Sequence, residues 1–179
     1  MQPIAETRDW VERVVIGLKL CPFAPAPALK GLIRYVTSDA ETQEAVLEDL
    51  ASELKHLVAS SSDEVETTLL ILPRVLQDFH EFNDFLEIAD ELLRVLELEG
   101  EIQIASFHPQ YQFADTEWDD IGNATNQSPY PTLHLLREES VSRAVDSFGD
   151  TRSISITNLA TLAKLGSEGL QALRRGEPG

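Results

Sequence analysis

The residues best able to do chemistry in this chain are a histidine, two arginines and a lone cysteine. His108 follows a strand-like run, Ile102 to Phe107, and precedes Pro109. Open α/β sheets gather ligands outside the carboxyl ends of their strands. An imidazole at such a place can move a proton near neutral pH or ligate a metal. Arg74 follows Pro73 at the end of a second strand-like run, Thr67 to Leu72, and Arg34 stands inside a third, Leu32 to Val36. At one sheet edge these guanidinium groups would hold a carboxylate or a phosphate; pairing with the many Asp and Glu side chains explains them equally well. Cys21 follows a helical run, where the helix dipole disfavours a thiolate. It is an optional thiol participant, and the alternative is a small apolar residue held by Pro22 and Phe23. His134 lies in a strand between Leu133 and Leu135, faces away from them, and is expected to be buried and hydrogen-bonded.

A long stretch from Pro109 to Pro131 carries the remaining candidates. Asn123, Asn126 and Ser128 offer short polar groups to a ligand, and they serve equally to satisfy the backbone of the loop itself. Its aromatics and three prolines predict an ordered loop packed on the sheet. Asp115, Glu117, Asp119 and Asp120 form an acidic run that with His108 suits a divalent cation, but no paired-histidine, paired-cysteine or EF-hand spacing supports a metal, and a solvated charge run is the default. No glycine-rich phosphate loop, nucleophile elbow or zinc-protease motif is present, so the sequence names no cofactor. Two readings stand side by side. One is a small-molecule binding domain or enzyme for an anionic ligand, with His108 as acid–base group or metal ligand beside Arg34 and Arg74. The other is a non-catalytic interaction module that presents Tyr111, Phe113, Trp118 and Tyr130 to a protein partner.

Composition narrows the class. The chain has 179 residues, 42% hydrophobic, enough for one domain with a sizeable core. Residues 1–30 read as an N-terminal helix with a proline-rich connector, and residues 172–179 as a fraying tail. A formal net charge of -17 repels nucleic-acid backbones and anionic membranes. No apolar run is long enough to span a bilayer, and the N-terminus lacks the pattern of a signal peptide. A single cysteine forms no internal disulfide. A cytoplasmic location of bacterial type is the simplest expectation.

The elements that must position the candidates follow from periodicity. Trp10, Val11, Val14, Val15 and Leu18 repeat at helical spacing behind Thr7 as a cap, and Pro22, Pro25 and Pro27 predict a stiff, extended connector over Ala24 to Ala28. Ser38 or Asp39 should cap a helix through Val58, and Asp78 one that runs to the stop at Gly100. Thr132 to Leu136 is a fourth strand, which should run antiparallel at an edge. Glu138 to Phe148 is a helix with Val141, Ala144, Val145 and Phe148 buried. Arg152 to Ile156 reads as extended, ahead of helical turns capped by Asn158. The predicted fold is a single α/β domain: a mixed, mostly parallel sheet of about four strands flanked by helices. Its chain order is compatible with a thioredoxin-like one, although the redox cysteine pair is missing.

The strings LKLCPF, IASFHPQYQF and NQSPYPTLHLLREESVSRA resemble an uncharacterised bacterial family, domain of unknown function 1415, over nearly the whole chain. The resemblance implies no activity, substrate or cofactor.

Overall fold

The structure is a computed structural model and describes residues 2–176. Helix α1 (Gln2–Trp10) continues as a wider π-helical stretch over Val11–Ile16. Its predicted apolar stripe is real: Trp10, Val11 and Val14 are buried. Thr7 does not cap it. The helix starts five residues earlier, and Thr7 is enclosed within it. The connector is not extended either. Pro25–Leu29 forms a short helix, α2, because a proline at the first helical position gives up no hydrogen bond and has its φ preset.

Four strands and two long helices then build the framework: β1 (Ile33–Thr37), α3 (Gln43–Ala59), β2 (Thr67–Ile71), α4 (Phe79–Val95), β3 (Ile102–Phe107) and β4 (Thr132–Arg137). Asp78 caps α4 as expected, its carboxylate accepting from the amides of His80 and Glu81. The cap of α3 is Thr42, whose hydroxyl oxygen accepts from Ala45. Ser38 and Asp39 stay in the preceding loop.

The strand order across the sheet is β1-β2-β4-β3. Helical crossovers leave β1, β2 and β3 pointing the same way, but β4 lies inside the sheet, antiparallel to both β2 and β3. Only β1 and β2 pair in parallel. The expected mostly parallel pairing and the antiparallel edge strand are both corrected by this insertion. The chain order is the one that suggested a thioredoxin-like arrangement; the inner position of β4 departs from an edge hairpin. The reason is the stretch after β3, which brings the chain back beside its own strand without a helical crossover.

The two faces of the sheet differ in how they are covered. Strand alternation sends Leu70, Leu133 and Leu135 to one side, where α3 and α4 seal them with Leu50, Leu54, Phe82 and Phe85, all fully buried. The other side receives Tyr35, Leu69 and Phe107, and is covered by α1, its π-helical continuation and α6 (Arg152–Arg175). The expected extended piece at Arg152 to Ile156 is the first part of this helix, which bends at Gly166, where φ is +70°. It runs helically to Arg175, past the start of the predicted fraying at 172; residues 177–179 lie outside those described. Helix α5 (Glu138–Phe148) has no buried residue at all. The apolar stripe predicted to be core, Val141 to Phe148, instead hangs over this second face.

Candidate functional site

The edge predicted to hold the site does assemble two of its members. His108 and Arg74 both follow the carboxyl ends of strands that point the same way. Their chemistry is nevertheless already spent. His108 is fully enclosed, its ring 5.4 Å from that of Phe79 and 5.1 Å from that of Phe82. Its Nε2 lies 3.2 Å from the carbonyl oxygen of Leu76 and its Nδ1 accepts from the Gln110 amide at 3.0 Å. A carbonyl only accepts and an amide only donates, so the ring is the neutral tautomer with hydrogen on Nε2, and neither nitrogen is free. Burial lowers its pKa below the usual histidine range. Arg74 is exposed and paired with Glu41 at 3.4 Å and Asp39 at 3.9 Å. Arg34 does not reach this edge. Its side chain lies under α3 and makes two bonds to Glu53, at 2.7 and 3.1 Å. The three residues therefore do not form one site, and the two cations are neutralised where they stand.

The loop is ordered by its own polar groups. Asn123, fully buried, accepts from the Phe113 amide and the Thr116 hydroxyl and donates to the Glu117 carbonyl. Ser128 donates to the Tyr130 carbonyl at 2.6 Å, and Asn126 donates to that of Ser106 at 3.3 Å. A short 3₁₀ turn, Ile121–Thr125, carries the centre of the loop onto α6. Tyr111 packs against Phe79 and Phe113, and Tyr130 donates to Glu6 of α1. Of the four aromatics proposed as a patch, only Trp118 is mostly exposed, at 78%. Among the described residues no group of three His, Cys, Asp or Glu side chains is placed to hold a metal ion.

A cleft of about 1000 Å³ opens instead on the second face of the sheet. Its floor is Thr67, Leu69, Gln103, Ala105, Phe107 and His134, which strand pairing sets side by side: His134 stands directly opposite Leu69 on one neighbour and Ala105 on the other. One wall is Trp10, Val11 and Val15; another is the segment from Leu20 to Pro27, with Cys21 half-buried in it. Helix α5 roofs the cleft through Val141 and Ala144, held across the gap by an edge-to-face contact of Phe148 on Phe23 with ring centres 5.9 Å apart. Thr125 and Asn126 close one end. At the other, Lys30 and Arg143 stand with Asp63 and Glu66, so the mouth carries both signs of charge. Arg137 also borders it, but its guanidinium is committed to the carbonyls of Leu57, Ser60 and Val65 at 2.7–2.9 Å.

Of the candidates read from the sequence, Cys21, Asn126 and, from the aromatic set, Phe113 thus line the cleft, whereas His108, Arg34, Arg74, Asn123 and Ser128 lie elsewhere. Sequence reasoning missed its floor. A signal was present: in β4 and β3 the positions that alternate with the leucine face are His134, Gln103 and Ala105, polar or small residues on adjacent strands. The model of the family described as a protein of unknown function, DUF1415, matches residues 2–172. The chain belongs to the DUF1415 family. No curated protein and no solved structure matches this DUF1415 member. The matched span takes in the whole sheet, the cleft floor and the roofing helix α5.

Proposed function

We propose that this DUF1415 member binds a small, largely apolar molecule in the cleft between the sheet and α5. The observation that supports the reading is the cleft itself: about 1000 Å³, of the size that drug-sized ligands occupy. Its walls are mostly aliphatic and aromatic, and its floor sets Thr67, Gln103 and His134 among Leu69, Ala105 and Phe107. This keeps the small-molecule reading of the sequence but moves the site from the sheet edge to the sheet face. It also removes the requirement for an anion, because Arg34 and Arg74 are paired and the mouth of the cleft carries both signs of charge. Cys21 has no hydrogen-bonded base among the described residues, so the role proposed is binding, not thiol catalysis.

Blocking the cleft from its floor tests this. Ala105→Trp would place an indole on the cleft floor beside His134. A thermal-shift screen of apolar and amphipathic metabolites should yield molecules that stabilise the wild type and fail to stabilise A105W. Hits that stabilise both proteins equally would place binding elsewhere and sink the proposal.

A further inference from the structure

The hydrogen bonds on the cleft floor determine which ligand chemistry it accepts. Thr67 Oγ1 lies 2.6 Å from the carbonyl oxygen of Leu135 and 2.8 Å from Nε2 of His134. The carbonyl can only accept, so the single hydroxyl hydrogen of Thr67 lies on the 2.6 Å contact. Thr67 therefore meets His134 with a lone pair, and Nε2 must carry the ring hydrogen. A neutral imidazole has one such hydrogen, so Nδ1 is a bare acceptor. No group among the described residues donates to it, and it is absent from the enclosed polar atoms that lack partners. It opens to the cleft that His134 lines.

We propose that Nδ1 of His134 is the polar anchor of the cleft and accepts a hydrogen bond from the hydroxyl or N–H of an otherwise apolar ligand. The proposal rests on the reading of the cleft as a small-molecule site. The surroundings of the anchor set the rest of the chemistry. Leu69, Ala105 and Phe107 flank the ring, with Phe107 at 5.8 Å between ring centres. A ligand body there must be apolar. Burial holds the pKa of His134 down to about 4, so the ring stays neutral at physiological pH and keeps its acceptor. A carboxylate or an ether oxygen placed at Nδ1 would set lone pair against lone pair. A phenol, an alcohol or an amide N–H would complete the site.

A matched pair of probes tests this: 4-butylphenol and 4-butylanisole have the same apolar body, and only the first has a donor. Titration calorimetry on the wild type should show the phenol binding at least ~10-fold tighter, equivalent to about 1.4 kcal/mol. His134→Phe keeps an aromatic ring in place, removes both nitrogens, and leaves Thr67 donating to the Leu135 carbonyl. It should bring the ratio to about one while the anisole affinity stays the same, since an unpaired donor is what the wild type satisfies. Equal affinities in the wild type, both lost in A105W, would overturn the anchor and leave the cleft as a binding site. Binding of neither probe would overturn both readings. A second measurement holds if His134→Phe fails to fold. In a nitrogen-15 spectrum of the wild type at pH 7, Nδ1 of His134 should be the unprotonated ring nitrogen, and the phenol alone should shift it. A protonated Nδ1 would refute the assignment outright.

Discussion

His108 and His134 make a controlled comparison within one molecule. His134 stands on an inner strand of the sheet and His108 just past the end of an edge strand; each is neutral with its hydrogen on Nε2, and burial lowers the pKa of each. They differ at one atom. Nδ1 of His108 accepts from the Gln110 amide, whereas Nδ1 of His134 meets no donor from the described protein. The first histidine closes a junction between the α4 entry and the loop after β3. The second stands at the bottom of a cleft. Position at a strand end, which makes a histidine look functional in sequence, here belongs to the structural one. The lesson is that a titratable side chain is available for function only after its own hydrogen-bond partners have been counted.

The largest effect should come from breaking the closed partner. His108→Ala removes a fully enclosed ring between Phe79 and Phe82 and leaves the Leu76 carbonyl and the Gln110 amide unpaired. By analogy with large-to-small core changes and unsatisfied buried groups, the loss should be about 4 kcal/mol in urea unfolding. A loss under about 0.5 kcal/mol, in the range of an ordinary surface change, would mean that His108 is not holding this junction.

Acid titration sharpens the same comparison. His134 has a folded-state pKa of about 4, against about 6.5 in the unfolded chain. As pH falls below 6.5 the unfolded chain takes up the proton first, so stability is present above pH 6.5 and is lost progressively down to about pH 4. The full loss attributable to this residue is about 3 kcal/mol. His108 contributes in the same direction. Unfolding free energies measured at pH 7 and pH 4.5 should therefore differ less in His134→Gln than in the wild type. An identical pH dependence in the two proteins would show that the ring of His134 is not held neutral.

Asn123→Ala should rank next. It deletes three hydrogen bonds that tie Phe113, Thr116 and Glu117 together, and the expected loss is about 2 kcal/mol. Limited proteolysis of the native variant should then cut between Phe113 and Gly122 well before the wild type does. The smallest effect belongs to Arg74→Ala. Its pairs with Asp39 and Glu41 are solvent-exposed, so stability should change by less than about 0.5 kcal/mol. A larger change would mean that the edge beside His108 has an electrostatic role that the geometry does not assign to it.

Local signals in the sequence place most of the framework without reference to packing. Thr67–Ile71 reads as a buried strand from its apolar run before a proline, and Asp78 reads as a cap from its place before Phe82 and Phe85. The failures have a common origin. Helix α5 has a strong apolar stripe, and in an isolated segment that stripe can only be read as core; here it faces a gap and a single aromatic contact from Phe23. Threonine suits a cap, so Thr7 reads as one, but the chain upstream of it already sustains a helical turn. The inner position of β4 was hidden because strand pairing joins residues more than sixty positions apart, such as Thr67 with Leu136, and no periodicity records which neighbour a strand selects.

What the sequence determined by itself was the alternation that sends Leu133 and Leu135 to one face and His134 to the other, since side chains in a strand reverse at every residue. It determined the donors and acceptors available as well. Only the tertiary structure decided which of them remain unused. Thr67, from a strand sixty-seven residues earlier, donates to Leu135 and so obliges His134 to present a bare Nδ1. Tight packing of α3 and α4 closed one face of the sheet, and the bridging of α5 from above left the other open. Burial and hydrogen-bond satisfaction are properties of neighbours in space, and these neighbours come from both ends of the chain.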